Sequence, residues 1–166
     1  LAQPASAEKH LRSAIEQLTK AFGEEHREVS EARHALGKAL TDSARYEEAR
    51  AQLDRSEQLA VQWEPELTWT VVRPRYFKAL LFLELGEPGN ARPLLSEIVE
   101  FQDAHTGQRP DLDHTGMVRQ ALAETYLRGA EFQKAIATLR TAVFVSERAD
   151  GAMHPQTRFI RLSLAE

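Results

Sequence analysis

Leu36-Gly37-Lys38-Ala39-Leu40, followed by Ala44, Tyr46, Ala49, Leu53 and Ser56, decides the fold because the pattern comes back. Moving on by 42 residues gives Lys78-Ala79, Phe82, Gly86, Pro88, Ala91, Leu95 and Ile98. A further 44 gives Leu122-Ala123, Tyr126, Ala130, Phe132, Ala135, Leu139 and Ala142. A last step of 42 reaches Leu164-Ala165, and 42 backwards from Ala49, Leu53 and Ser56 stand Ala7, Leu11 and Ala14. Self-similarity at such a period marks units that each bury a face against the next.

Each unit reads as two helices folded back on one another. On the first, a small residue (Gly37, Ala79, Ala123) lies three before a large one (Leu40, Phe82, Tyr126), so both share a face. On the second, Ala49, Ala91 and Ala135 precede Leu53, Leu95 and Leu139 by four. The small residues let the axes approach and the large ones fill the groove beside them. Ala44, Gly86 and Ala130 fall between the helices, where a tight turn favours glycine or another small residue.

The pattern resembles the tetratricopeptide repeat over essentially all 166 residues. The nearest stretch is Leu122-Ala123-Glu124-Thr125-Tyr126 through Phe132-Gln133-Lys134-Ala135. A period of 42 to 44 is similar to the long repeats of kinesin light chain and of many bacterial regulatory proteins. Gly151-Ala152-Met153-His154-Pro155-Gln156-Thr157 looks like the family's Gly-x-x-His-Pro-x-Thr link, and Gly23 and His26 stand 128 residues earlier. The sequence departs from the family pattern at Arg27, Lys78 and Pro88, which replace a proline, a core leucine and a turn aromatic.

The resemblance implies an all-α, right-handed superhelical solenoid of antiparallel helix pairs. Helices are expected over 5–22, 27–42, 46–62, 70–85, 89–104, 114–128, 132–149 and 155–166. Residues 1–166 divide into a partial unit (1–26), units 27–68, 69–112 and 113–153, and a partial unit 154–166. Pro74 should sit in the first turn of its helix, where its missing N–H is tolerated, and Asp113 and His154 should be N-caps.

Composition narrows the function. Hydrophobic residues make up 42% and charged residues 28%, enough for a packed core under a solvated surface. The formal net charge of −4 comes without a basic cluster, which argues against nucleic-acid binding by this segment. No apolar run approaches the roughly 20 residues that span a bilayer. The chain has no cysteine, which excludes thiolate catalysis and Cys-based zinc sites and fits the cytoplasm. Beginning at Leu1, it is expected to be a piece of something longer. Five lysines beside sixteen arginines, with abundant alanine, point to a GC-rich bacterial genome.

Chemistry-bearing patterns are few. Histidines 10, 26, 34, 105, 114 and 154 show no His-x-x-x-His or His-Glu-x-x-His spacing, so no metal or other cofactor is expected. No nucleophile elbow or phosphate loop occurs, and Glu24-Glu25 and Glu47-Glu48 are adjacent pairs that cannot converge on one bond. Arg33, Arg75, Arg119 and Arg161 recur in register, each four before the small residue of its first helix. Their stems are expected to pack between helices while the guanidiniums pair with glutamates; a cationic ladder gripping anions is the alternative. Trp63 and Trp69, flanking Pro65, are expected to pack over the link.

In the family the first helices line a concave binding side. Carried onto this chain, that side takes His34, Lys38 and Thr41, with Glu31, then Arg73, Tyr76, Leu80 and Leu83, with Glu84 at the margin. It continues through Met117, Gln120, Glu124 and Leu127, beside Arg128, to Phe159 and Leu162. Tyr76 and Phe159 are the expected apolar anchors, among polar groups that would set register. Where kinesin-light-chain-like repeats present asparagines, this chain has His34-Ala35, Tyr76-Phe77 and Gln120-Ala121. The expected function is a non-catalytic protein- or peptide-binding scaffold, the regulatory arm of a larger bacterial signalling protein such as a Ser/Thr kinase or transcription regulator. A dimer formed through the end helices is the alternative.

Overall fold

The three turns expected inside the repeats are made by Ala44, Gly86 and Ala130, and all three have left-handed backbones, with φ of 56°, 75° and 56°. They belong to a computed structural model that describes residues 4–63, 68–105 and 115–165. Its described helices are α1 (Pro4–Phe22), α2 (Arg27–Asp42), α3 (Tyr46–Trp63), α4 (Trp69–Glu84), α5 (Pro88–Ala104), α6 (Thr115–Arg128), α7 (Phe132–Asp150) and α8 (Pro155–Ala165). Every end falls within one residue of the periodicity reading. The chain forms two compact units, Leu1–Leu85 and Gly86–Glu166, whose boundary lies inside the middle repeat.

In the first unit α2 packs against α1, α3 and α4, and α3 also meets α4. Leu36, Leu40, Ala49, Leu53 and Leu81 form the core, with Leu11, Ile15, Tyr46 and Phe77 packed against it. Gly37 allows the approach of α2 and α3: a Cβ there would stand 2.6 Å from Leu53 Cγ. Where those helices also meet through serines, Ser30 and Ser56 each donate to the other's carbonyl at 2.9 Å, so neither buried hydroxyl is left unpaired. In the second unit α6 packs on α5, α7 and α8. Ala123, Ala135, Leu139 and Ala142 repeat the small-and-large seam and are buried.

The two alanine turns follow one hydrogen-bonding scheme. Ala44 N–H donates to Thr41 O and Arg45 N–H to Leu40 O, both at 2.9 Å. Ala130 N–H to Leu127 O at 3.0 Å and Glu131 N–H to Tyr126 O at 2.9 Å repeat it. This is the helix stop that glycine usually makes, here with alanine at the left-handed position. The links repeat as well: Gly23 and Gly151 have φ of 89° and 91°. His26 Nδ1 accepts Glu28 N–H at 3.3 Å and His154 Nδ1 accepts Gln156 N–H at 3.4 Å. His154 is thus the expected N-cap, and Asp113 lies outside the described residues.

Pro88 and Pro74 sit differently in their helices. Pro88 opens α5, where its fixed φ suits the first helical position. Pro74 does not lie in the first turn: α4 already starts at Trp69 after Thr68, so Pro74 sits in the helix interior. Lacking an N–H, it cannot bond the carbonyl four residues earlier.

Candidate interaction face

The residues expected to line a common face come from first helices, and each unit brings two such helices together: α2 with α4, and α6 with α8. In the first unit the His34 ring stacks on Phe77, with centroids 5.7 Å apart and planes inclined by 18°. Burial, and secondarily the Arg73 guanidinium, push the His34 imidazole down to about 4, with Glu31 opposing. His34 is therefore neutral at pH 7 and packs as an uncharged ring. Phe77 was missed by the stripe reading, yet it joins the two helices and also lies against Tyr76, centroids 5.6 Å apart.

The second unit holds the same contact with different chemistry. Gln120 stands 86 residues after His34 and Ser163 86 after Phe77, and Gln120 Nε2 donates to Ser163 Oγ at 2.7 Å. An aromatic stack and an amide–hydroxyl hydrogen bond thus occupy one place in the repeat.

The remaining face residues separate into open and closed positions. Lys38 is exposed, with Nζ 2.6 Å from Asp42 Oδ2, and Arg73 is exposed beside His34. Thr41 turns its hydroxyl back to Gly37 O at 2.9 Å. Leu80 is half-buried. Tyr76 and Leu83 retain only 8% and 3% of their surface, so the expected anchor Tyr76 is closed from solvent. Burial also drives its phenol up to about 12. In the second unit Met117 and Gln120 are half-buried and Glu124 pairs with Arg128. Leu127, Phe159 and Leu162 are open, at 43%, 61% and 64% exposure.

The recurrent arginines are partnered within the fold, as the structural reading expected. Arg33 donates to Gln52 Oε1 at 2.8 Å, and Arg75 to Glu57 Oε1 at 2.8 Å. Arg119 pairs with Asp103 and Arg161 with Glu147. Lys78, at a leucine position, meets Asp54 at 2.6 Å and Glu57 at 3.1 Å. Burial opposes its charge, but the hydrogen bonds to Asp54 and Glu57 outweigh burial and raise its pKa. Trp63 and Trp69 are half-buried. Among the described residues no group of three or more His, Cys, Asp or Glu side chains could hold a metal ion. No described helix is long and apolar enough to cross a membrane.

Two repeating helix pairs, left-handed turns at fixed positions and recurring first-helix contacts define a tandem helix-pair repeat protein. Comparison with solved structures identifies which kind. The chain is similar to the nearly identical TPR-like repeats of a Podosopora anserina protein described as a kinesin light chain, in a Q17M form: TM-score 0.75, 19% identity, 98% of this chain and 76% of that one. A second crystal structure of those repeats gives a TM-score of 0.73 at the same identity and the same coverage of 98% and 76%. BtubC (BKLC) from P. vanneervenii is similar at TM-score 0.76 and 14% identity, over 99% of this chain and 65% of that one. The chain therefore has the TPR-like repeat fold. No protein-family model matches the sequence, and no curated protein matches it.

Proposed function

We propose that this chain is a non-catalytic scaffold that binds a protein or peptide along its first-helix faces. One observation carries the reading: the same pair of repeat positions, 34 with 77 and 120 with 163, joins first helices in both units. Around these joints stand exposed Lys38 and Arg73 in one unit and Leu127, Phe159 and Leu162 in the other. Polar groups beside apolar ones suit a peptide ligand: apolar anchors supply affinity and charged groups supply register. The TPR-like fold supports the same reading. The open residues Lys38, Arg73, Leu127 and Phe159 carry the interaction; Tyr76 and Leu83 support the face from beneath.

The finer reading is a regulatory arm of a larger bacterial signalling protein acting in the cytoplasm, with the repeat units bounded as the periodicity sets them. Arginine-rich, lysine-poor composition and the absence of cysteine support it. Self-association through α8 is the second reading, favoured by the exposure of Phe159 and Leu162. The test is affinity capture with the parent chain beside an Arg73→Ala/Phe159→Ala variant of unchanged melting, with mass spectrometry of what is held. A partner held by the parent and lost by the variant supports the scaffold reading. Recovery of this chain alone supports self-association, and equal retention by both moves the site elsewhere.

A further inference from the structure

The outward ridge of α7 differs from its counterparts in the same molecule. Phe132, Ile136, Arg140, Phe144 and Arg148 follow one another at four-residue steps, so they form a continuous line on the helix surface. The three apolar members are 59%, 38% and 56% exposed, and both arginines are exposed.

The repeat supplies its own control. At the place of Phe144, α3 carries Gln58 and α5 carries Glu100. At the place of Ile136 they carry Arg50 and Arg92, and at that of Arg140, Asp54 and Ser96. At these three places α3 and α5 present only polar or charged side chains, where α7 presents two apolar side chains and a cation.

The cations are also unusual. Arg75, Arg119 and Arg161 are tied to carboxylates, but among the described residues neither Arg140 nor Arg148 has an ion-pair partner. Arg148 instead lies over the Phe144 ring, its guanidinium carbon 5.6 Å from the centroid. Glu147, the nearest acid in sequence, is taken by Arg161. A basic, apolar ridge stands on a chain whose net charge is −4.

We propose that this ridge docks an acidic segment of a partner protein, one that sets carboxylates and aliphatic side chains at one-turn spacing. Carboxylates take bidentate bonds from Arg140 and Arg148, and aliphatic groups cover Ile136 and Phe144. The site lies on a second helix, apart from the first-helix faces, and stands whether or not those faces bind a ligand.

The test uses a fluorescent, roughly 18-residue helix-forming peptide with Glu and Leu alternating at four-residue steps, and the same peptide with Lys for Glu. Fluorescence anisotropy should show binding of the Glu/Leu peptide at least about tenfold tighter than of the Lys/Leu peptide. Arg140→Glu/Arg148→Glu, with unchanged thermal melting, should reverse that preference, and Phe144→Ser should weaken both. Failure to bind the Glu/Leu peptide, equal binding of both peptides, or full retention by the double variant overturns the proposal. Binding to phosphatidylglycerol vesicles or to a second copy of the chain, lost in the double variant while the peptide is ignored, assigns the ridge to another occupant and also overturns it.

Discussion

The Arg92 guanidinium reaches from α5 to the Glu131 carboxylate at 2.5 Å, at the start of α7. Glu8 and Arg45 occupy the same two places in an earlier repeat with the charges exchanged, and they too meet, at 2.6 Å. A mismatched stacking of these elements would set like charges opposite one another, so the exchange helps to fix repeat order. Glu131→Arg should lower the melting temperature, and adding Arg92→Glu should recover part of the loss. Recovery is partial because Arg92 also donates to Thr125 O at 2.9 Å and lies 4.8 Å from the Tyr126 ring centroid. Differential scanning calorimetry of the two singles and the double reads the coupling.

Alanine at the left-handed turns is a reserve of stability. A left-handed conformation costs a residue with a Cβ about 1–2 kcal/mol, and glycine gives back part of that through its freer unfolded state. Ala44→Gly and Ala130→Gly should each stabilise by about 0.5–1 kcal/mol, while Gly86→Ala should destabilise by a similar amount. Urea titrations of the three variants check both signs.

His34 makes stability depend on pH. Its folded pKa of about 4 lies below the ordinary 6.5, so between these values the unfolded chain binds the proton and the folded chain does not. Stability from this group is complete above pH 6.5, falls as pH drops, and levels off below pH 4. The shift corresponds to about 3 kcal/mol in all. Gln120 holds the equivalent position in the second unit, so His34→Gln is the natural replacement. It should flatten the pH dependence of melting across that window; an unchanged slope would assign the effect to other groups.

Ala123 is completely buried where α6 approaches α7. Ala123→Glu would put a carboxylate in that seam without a partner, costing several kcal/mol, on the order of 3–5. Because repeats are stabilised by nearest neighbours, hydrogen exchange should quicken in α5, α7 and α8 as well as in α6.

The helices were legible because the small-and-large alternation recurs, and a repeated pattern constrains each boundary several times over. The turn positions and the His26 and His154 caps were legible for the same reason. Pro74 was misjudged although the start of α4 was read to within one residue: with the helix opening at Trp69, residue 74 is the sixth helical position and lies past the first turn. Tyr76 shows a different limit. Its place on the first-helix stripe follows from helical period, but period gives a direction and not what packs there. Phe77, beside Tyr76 and under His34, decides that, and such a contact spans 43 residues. The Arg92–Glu131 contact spans 39 and becomes visible only when its charge-exchanged counterpart is aligned with it.

Titration calorimetry of a captured partner against the parent chain and a Leu127→Ala/Phe159→Ala variant tests the central claim most directly. Both side chains are exposed, so the variant should melt as the parent does. The first-helix scaffold reading predicts a loss of affinity of about tenfold or more, since two apolar anchors are removed. Undiminished affinity in a folded variant would contradict it.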